Sequence, residues 1–236
     1  MTMLTTTCRA DAAEEYAERG FVRISGLLMP DEVTSLHAEA DRLAREPGLM
    51  GDALRGAVRT NGPRFDRIDP VIDVSPAYSA LAADPRMIDL AATLLGGPCQ
   101  LMKDKFIRKP AGAPGYTVHQ DAAYWHELGI SGERIVSLAV LIDRCGAASG
   151  PLEFAPGHHH RLLTPPGVVA DPDPAIFDRF EAVIGEAGDI VAFSALAPHR
   201  SRPNLSDADR TILFLTYARD DRADLYGTYQ LARQGF

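Results

Sequence analysis

The chain has 236 residues, 46% of them hydrophobic and 24% charged, a composition typical of a globular protein that buries its own core. Its formal net charge is −8 with scattered basic residues, so the concentrated basic face that nucleic-acid binding requires is not expected. The three cysteines lie far apart without a CxxC pair, which indicates free thiols in a reducing compartment. We find no signal peptide and no apolar run long enough to cross a membrane, and therefore expect a cytoplasmic protein.

The N-terminal part, residues 10–97, is predicted to be mainly helical. Apolar residues recur at helical spacing in two segments, the one that starts at Asp31 and Pro85–Leu95, and Gly20 and Gly96 provide stop signals. The predicted elements are a helix over 12–19, a strand over Phe21–Ile24, a helix starting at Asp31, a long loop over 48–75 and a helix over Pro85–Leu95.

From Gln100 onward, short apolar runs alternate with Gly and Pro turns, a pattern that predicts a β-sandwich or barrel. The core should cover residues 98–220, and we expect residues 1–236 to form one domain. Residues 160–186, with four prolines, are predicted to form a long excursion. The predicted strands cover residues 101–108, 116–120, 135–142, 152–155, 189–193 and 211–217.

The segment His119-Gln120-Asp121 is the first candidate for chemistry. If it lies on a β-strand, positions 119 and 121 share a face, so an imidazole and a carboxylate can reach one cation. His199, just past another predicted strand, is the best second imidazole. Two histidines and one carboxylate form the facial triad of non-haem iron(II) oxygenases. His158, His159 and His160 follow a Pro-Gly turn and predict a surface loop instead.

Two residues that follow His199 in the chain, Ser201 and Arg210, suggest a second part of the site. Arg210 opens a predicted strand, and an arginine at the mouth of a barrel can bind a carboxylate through two parallel charge-assisted hydrogen bonds. Ser201 can add a hydroxyl to the same carboxylate. A metal with open positions beside such a pair suits a 2-oxo acid.

The segments HQDAAYW, SGPLEFAPGHH, GDIVAFSALAPHRSRPN and DRTILFLTYA, in this order and spacing, resemble the phytanoyl-CoA dioxygenase family over roughly residues 15–220. The resemblance implies a mainly β fold, with a double-stranded β-helix (jelly-roll) core and the N-terminal helices packed outside. It also implies iron(II), 2-oxoglutarate as co-substrate and O₂. His119, Asp121 and His199 become the metal ligands, and Arg210 with Ser201 binds the distal carboxylate of 2-oxoglutarate.

The same resemblance suggests further residues. Lys105 and Ser137 are candidate contacts of 2-oxoglutarate. Trp125 and Tyr116 flank the HxD segment and are candidate substrate residues, as are Arg64 and Phe65 in the long loop. The tail with Tyr226 and Tyr229 is predicted to cover the pocket or to form a dimer contact. No catalytic residue beyond the metal ligands is predicted.

These observations favour a dioxygenase that hydroxylates an unactivated C–H bond of a small molecule. We expect it to act in secondary-metabolite biosynthesis, as a monomer or homodimer. Asp121 occupies the ligand position that related halogenases leave to a halide, so oxygen chemistry is expected. Two alternatives remain: a cupin-type metal-dependent oxygenase or isomerase that does not use 2-oxoglutarate, and a non-enzymatic jelly-roll binding module.

Overall fold

The computed structural model describes residues 6–46, 59–60, 65–165 and 177–233. Two antiparallel sheets face each other, and helices cover the outside of the larger one. The helices are α1 (Thr6–Arg19), α2 (Pro30–Arg45), α3 (Pro76–Ala82), α4 (Pro85–Leu95) and α5 (Leu225–Ala232). The strands are β1 (Phe21–Ile24), β2 (Arg59–Thr60), β3 (Phe65–Ile68), β4 (Gln100–Lys109), β5 (Tyr116–His119), β6 (Ile135–Leu141), β7 (Leu152–Phe154), β8 (Glu181–Ala182), β9 (Ile190–Ser194), β10 (His199–Ser201) and β11 (Arg210–Ala218).

The larger sheet has seven strands in the order β1-β9-β6-β11-β4-β3-β2, and the smaller has four in the order β5-β10-β7-β8. The central strands of the larger sheet are buried on both faces, which explains their nearly continuous hydrophobic sequences. On β11, Leu213, Leu215 and Tyr217 pack against the helices, whereas Ile212 and Phe214 face the smaller sheet. This arrangement confirms the predicted mainly β jelly-roll fold with outer helices.

The helix ends follow local sequence signals. The Ser75 side chain accepts a hydrogen bond from the backbone N–H of Tyr78 at the start of α3, and Asp84 caps α4 in the same way through the N–H of Arg86. Gly96 ends α4 in the left-handed conformation that glycine adopts without a steric penalty. The predicted bounds of β1 and α4 are confirmed, whereas α1 is longer than predicted.

One prediction in the N-terminal part is wrong. Residues 48–75 are not one continuous loop, because Arg67 and Ile68 of β3 pair with Ile107 and Phe106 of β4. Helix α3 was also missed, since its seven residues, about two turns, are too few to show a clear helical periodicity. None of the helices in the described ranges has the length and apolar character needed to cross a membrane.

Candidate metal centre

The first histidine and the carboxylate come from the end of β5. The strand stops at His119, and Asp121 begins a short 3₁₀ turn whose Ala122 N–H bonds to the carbonyl oxygen of Ala195. The expectation that both residues share one strand is therefore wrong. The turn nevertheless brings the two side chains together, with 3.8 Å between His119 Nε2 and Asp121 Oδ1.

The second histidine lies on β10, a three-residue strand between β5 and β7. His199 is paired in register with His119 on one side and with Phe154 on the other. The two imidazole ring centroids are 4.2 Å apart. One donor atom from each of His119, Asp121 and His199 lies within 4.8 Å of the others, and these three form the only such group among the described residues.

Backbone carbonyls fix the orientation of both rings. His119 Nδ1 lies 2.9 Å from the Thr117 carbonyl oxygen, and His199 Nδ1 lies 3.0 Å from that of Ala197. A carbonyl can only accept a hydrogen bond, so each Nδ1 carries the proton and each Nε2 keeps a free lone pair. Together with the Asp121 carboxylate, two nitrogens and one oxygen are available, which is the donor set of the facial triad and fits iron(II).

The protonation states suit metal binding. Burial, reinforced by the neighbouring His119, lowers the pKa of His199 to about 4, so its imidazole is neutral. Burial would raise the pKa of Asp121, but His199 and Lys105 outweigh it and hold this pKa below its ordinary value. A neutral imidazole and an ionised carboxylate are the forms that bind a cation.

The predicted carboxylate-binding residue, Arg210, is buried inside the barrel. Its Nη2 donates to the Gly150 carbonyl oxygen at 2.7 Å. The Ser201 hydroxyl accepts hydrogen bonds from the backbone N–H of Tyr116 at 3.2 Å and from Lys109 Nζ at 3.0 Å. Ser201 and Arg210 thus belong to one buried polar group, and Lys109 is its third member.

Lys109 is the functional candidate that sequence reasoning missed. It is directly opposite Arg210 in the antiparallel pair of β4 and β11, and its side chain is buried. In the described part of the chain, neither cation forms an ion pair with a carboxylate, and both donate only to neutral oxygens. Two adjacent buried cations with no counter-ion form a strong anion site. The signal was available, because all three lysines of the chain lie on this strand.

The other two predicted contacts of 2-oxoglutarate, Lys105 and Ser137, both lie on the inner face of the larger sheet. Lys105 faces the barrel interior, as expected, with Nζ 4.7 Å from the centre of the Phe214 ring. Burial, opposed by the charge of Asp121, lowers the pKa of Lys105 to about 8. Ser137 also faces inward and shares a 3.0 Å hydrogen bond with Thr216. Direct contacts of Lys105 and Ser137 with 2-oxoglutarate stay predictions.

Of the predicted substrate residues that the structure describes, one lines a cavity. Trp125 lines this cavity together with Tyr124, whose ring contacts that of His119. Tyr116 is 38% exposed, and its ring lies 5.6 Å from Lys109 Nζ. Arg64 and the side chain of Phe65 fall outside the described residues. Tyr229 of the C-terminal helix lines the same cavity as Trp125, in agreement with the expected cover. His159 Nε2 donates to the Ala17 carbonyl oxygen of α1 at 3.2 Å, and the three consecutive histidines do not join a metal-ligand group among the described residues.

Comparison with known proteins agrees with this geometry. The family model for phytanoyl-CoA dioxygenase matches residues 16–212. An ectoine dioxygenase of Bordetella parapertussis is 28% identical over 232 residues, which cover 88% of this chain and 74% of that protein. A methylphosphonate hydroxylase of Gimesia maris is 25% identical over 229 residues, covering 96% of this chain and 86% of that protein.

A solved structure agrees as well. The crystal structure of EctD from S. alaskensis with 2-oxoglutarate and 5-hydroxyectoine superimposes with a TM-score of 0.79, at 26% identity, covering 92% of this chain and 79% of that one. The chain is an enzyme, a dioxygenase that depends on iron(II) and 2-oxoglutarate and uses O₂. This finding rules out both alternatives left open by the sequence. The chain belongs to the phytanoyl-CoA dioxygenase family.

Proposed function

We propose that the enzyme hydroxylates an unactivated C–H bond of a small molecule, with His119, Asp121 and His199 as its iron(II) ligands. The observation that carries this proposal is the convergence of one donor atom from each of two oriented imidazoles and one carboxylate within 4.8 Å of one another. Three ligands on one face of an octahedral ion leave three positions for a chelating keto acid and O₂. Bound there, iron(II) supplies the oxidising chemistry.

The chain's own residues would position the co-substrate. Arg210 and Lys109 together offer two positive charges to the distal carboxylate of 2-oxoglutarate, and Ser201 offers a hydroxyl. Their burial strengthens each interaction, because the low local dielectric does not screen it. 2-Oxoglutarate carries its second carboxylate beside the keto group, and binding of the distal carboxylate at Arg210 would leave this keto-acid end free to reach the metal ligands.

Asp121 favours oxygen transfer to the substrate over halogenation. A carboxylate at this position fills a site on the metal that a halide would otherwise need. The relatives named above act on small polar molecules, a dioxygenase for ectoine and a hydroxylase for methylphosphonate, and they support a small-molecule substrate here. A role in secondary-metabolite biosynthesis, cytoplasmic location and a monomeric or homodimeric state are part of the proposal.

The test is anaerobic titration of the protein with iron(II) and 2-oxoglutarate, followed by exposure to O₂. The wild type should develop a weak visible charge-transfer band and release succinate. Asp121→Asn keeps the side-chain volume but removes the charge, and should lower iron affinity by more than about 100-fold, the upper end of losses seen for residues behind the ligands. Asp11→Asn, the same change on an exposed position of α1, should leave iron affinity unchanged.

Arg210→Met separates co-substrate binding from metal binding. It should retain iron but lose the charge-transfer band and succinate release at 2-oxoglutarate concentrations that saturate the wild type. Full succinate release by Arg210→Met, or stoichiometric iron in Asp121→Asn, would contradict the assignment.

A further inference from the structure

A cavity of about 370 Å³ lies next to the proposed metal ligands. The residues that follow Asp121 in the chain, including Tyr124 and Trp125, form one wall, and the Tyr124 ring stands edge-on to His119 with centroids 5.9 Å apart. Three further residues also line the cavity: Tyr229 of helix α5, Arg233 just after that helix, and Arg67 of β3. The cavity is therefore aromatic on its sides and carries two arginines.

These arginines belong to a partly buried cluster with excess positive charge, in which Asp69 and Lys103 are the buried members. Asp69, 1% exposed, accepts hydrogen bonds from Lys103 Nζ at 2.6 Å and from Arg67 and Arg233 at 2.5 Å each. Three cations thus share one carboxylate. Glu127 also lines the cavity, but its side chain is exposed to solvent. Buried charges of one sign require a compensating partner, so the cluster is suited to bind an anion.

One atom of the cluster lacks a partner. Arg67 Nε is buried and has no hydrogen-bond acceptor among the described residues. A buried donor without an acceptor loses its hydration and gains nothing in exchange. An oxyanion in the cavity would supply that acceptor.

This anion is a different one from 2-oxoglutarate. Lys103, Lys105 and Lys109 lie at alternate positions of β4, which place them in a row along the strand. Lys109 is opposite Arg210, whereas Lys103 is opposite Thr216 in β11. Arg67 pairs with Ile107 of β4, but its guanidinium shares Asp69 Oδ2 with Lys103 Nζ, so the charged cluster lies at the Lys103 end of the row. At about 3.4 Å per residue, the six residues from Lys103 to Lys109 span roughly 20 Å, which is more than a five-carbon diacid can bridge. The strongest charged neighbour of Lys105, between the two ends, is Asp121.

We infer, resting on the proposed function, that the substrate carries an oxyanion head group, a carboxylate or phosphonate, which binds to Arg67 and Arg233 in this cavity. Lys103 donates a hydrogen bond to Asp69 and adds to the positive potential at the two arginines. The head group would thereby be held at Arg67 and Arg233, and 2-oxoglutarate at Arg210 and Lys109, at separate positions along β4. The C–H bond to be oxidised lies between the head group and the metal.

The inference is tested by direct ligand binding to the enzyme loaded anaerobically with iron(II) and 2-oxoglutarate. The probes are methylphosphonate, acetate and acetamide, the last having the shape of acetate without its charge. Binding is followed by the line width of each probe's methyl proton resonance, which paramagnetic iron(II) broadens at short range. Both anions should bind at millimolar concentration, and acetamide should bind at least tenfold more weakly.

Two variants locate the site. Arg67→Gln and Arg233→Gln should each weaken anion binding about ten- to a hundredfold, the loss expected for one charge-assisted hydrogen bond. Arg144→Gln, the same charge change on an exposed arginine, should have no effect. Arg233 directly follows the last helix, α5, and is not part of a sheet strand. If Arg67→Gln fails to fold, Arg233→Gln still tests the inference.

The outcomes separate this inference from the proposed function. Absence of the charge-transfer band and of succinate in the wild type would contradict the proposed function itself. A normal band combined with no anion binding, with equal binding of acetate and acetamide, or with anion binding unchanged in both arginine variants would overturn this inference alone.

Discussion

The two imidazole rings of the metal centre are held by the chain segments that carry them. In both cases Nδ1 bonds to the carbonyl oxygen two residues earlier, Thr117 for His119 and Ala197 for His199. The same local device on two separate segments leaves both Nε2 atoms facing one point. The tautomers are thus set before a metal arrives, which reduces the ordering cost of binding it.

Lys109, beside Arg210 in the barrel interior, should make the affinity for 2-oxoglutarate depend on pH. Burial, reinforced by the charge of Arg210, lowers the pKa of Lys109 to about 7; Tyr116 and Cys145 are its other titratable neighbours. The co-substrate anion favours protonated Lys109. As the pH rises above about 7, the free enzyme increasingly holds neutral Lys109, so affinity should fall by up to about tenfold per pH unit.

Titration of the charge-transfer band with 2-oxoglutarate at a series of pH values measures this effect. Below about pH 7 the affinity should be nearly constant, because Lys109 is then protonated in both states. Lys109→Met should bind 2-oxoglutarate more weakly at neutral pH and lose the slope. A wild-type affinity that stays flat from neutral to alkaline pH would exclude a direct role of Lys109.

At the scale of elements, the contact between β5 and β10 determines whether the metal ligands meet. Gly115 precedes β5, and its Cα lies against the backbone of Ser201, Arg202 and Pro203. A Cβ at this position would overlap the Ser201 carbonyl oxygen, and a backbone atom cannot move aside as the end of a flexible side chain can. The close approach of the two strands therefore requires glycine here.

We accordingly expect Gly115→Ala to push β5 away from β10 and to separate His119 from His199. The variant should lose about 1–3 kcal/mol of unfolding free energy, the usual cost of forced overpacking, and should bind iron(II) more weakly. Chemical denaturation and iron titration measure the two effects. Gly146→Ala, where the nearest neighbour is the flexible end of Arg144 at 3.4 Å, should change neither. Wild-type iron affinity in Gly115→Ala would show that the strands can separate without moving the ligands.

Strand β4 illustrates how one element serves two purposes. Its inward positions carry the three lysines, and its outward Asp104 accepts hydrogen bonds from the backbone N–H groups of Val71 and Ile72. Asp104 also accepts one from the Tyr226 hydroxyl. Alternation along the strand thus separates the anion-binding row from the attachment of the outer segments.

For the whole molecule, the two faces of the larger sheet have different roles: the outer face supports the fold, and the inner face lies toward the metal centre. Its outer face packs against the helices in a cluster that includes Leu213, Tyr78 and Leu90, whereas its inner face packs against the smaller sheet around Phe154 and His199. Changes on the outer face should therefore alter stability without altering the site.

Leu213→Ala tests this division. Leu213 is fully buried, so its truncation should lower the free energy of unfolding by about 2–5 kcal/mol through lost burial and the cavity left behind. The folded variant should bind iron(II) and 2-oxoglutarate as the wild type does. Leu205→Ala, at a leucine that is 79% exposed, is the matched control and should have little effect on stability. A large loss of iron affinity in folded Leu213→Ala would show that the outer core also positions the ligands.

Much of the fold was predictable because its signals are local. Helix α4 has a proline at its start, a glycine at its end and an apolar stripe between them, and each signal acts within a few residues. The runs that became β4, β6, β9 and β11 are long and apolar enough to predict strands without knowledge of their partners. Strands β2, β8 and β10, with only two or three residues each, have no such pattern.

The sequence by itself determined which side chains are available: two histidines and one aspartate in recognisable motifs, an arginine at the start of β11, and three lysines on β4. Tertiary structure alone decided that β10 inserts between β5 and β7, which brings His199 beside His119 across eighty positions of sequence. It also decided that Asp121 starts a turn bonded to Ala195, and that Arg67 and Arg233 meet at Asp69. The physical reason is that short strands and buried ion clusters gain their stability from distant partners, and sequence patterns report only near neighbours.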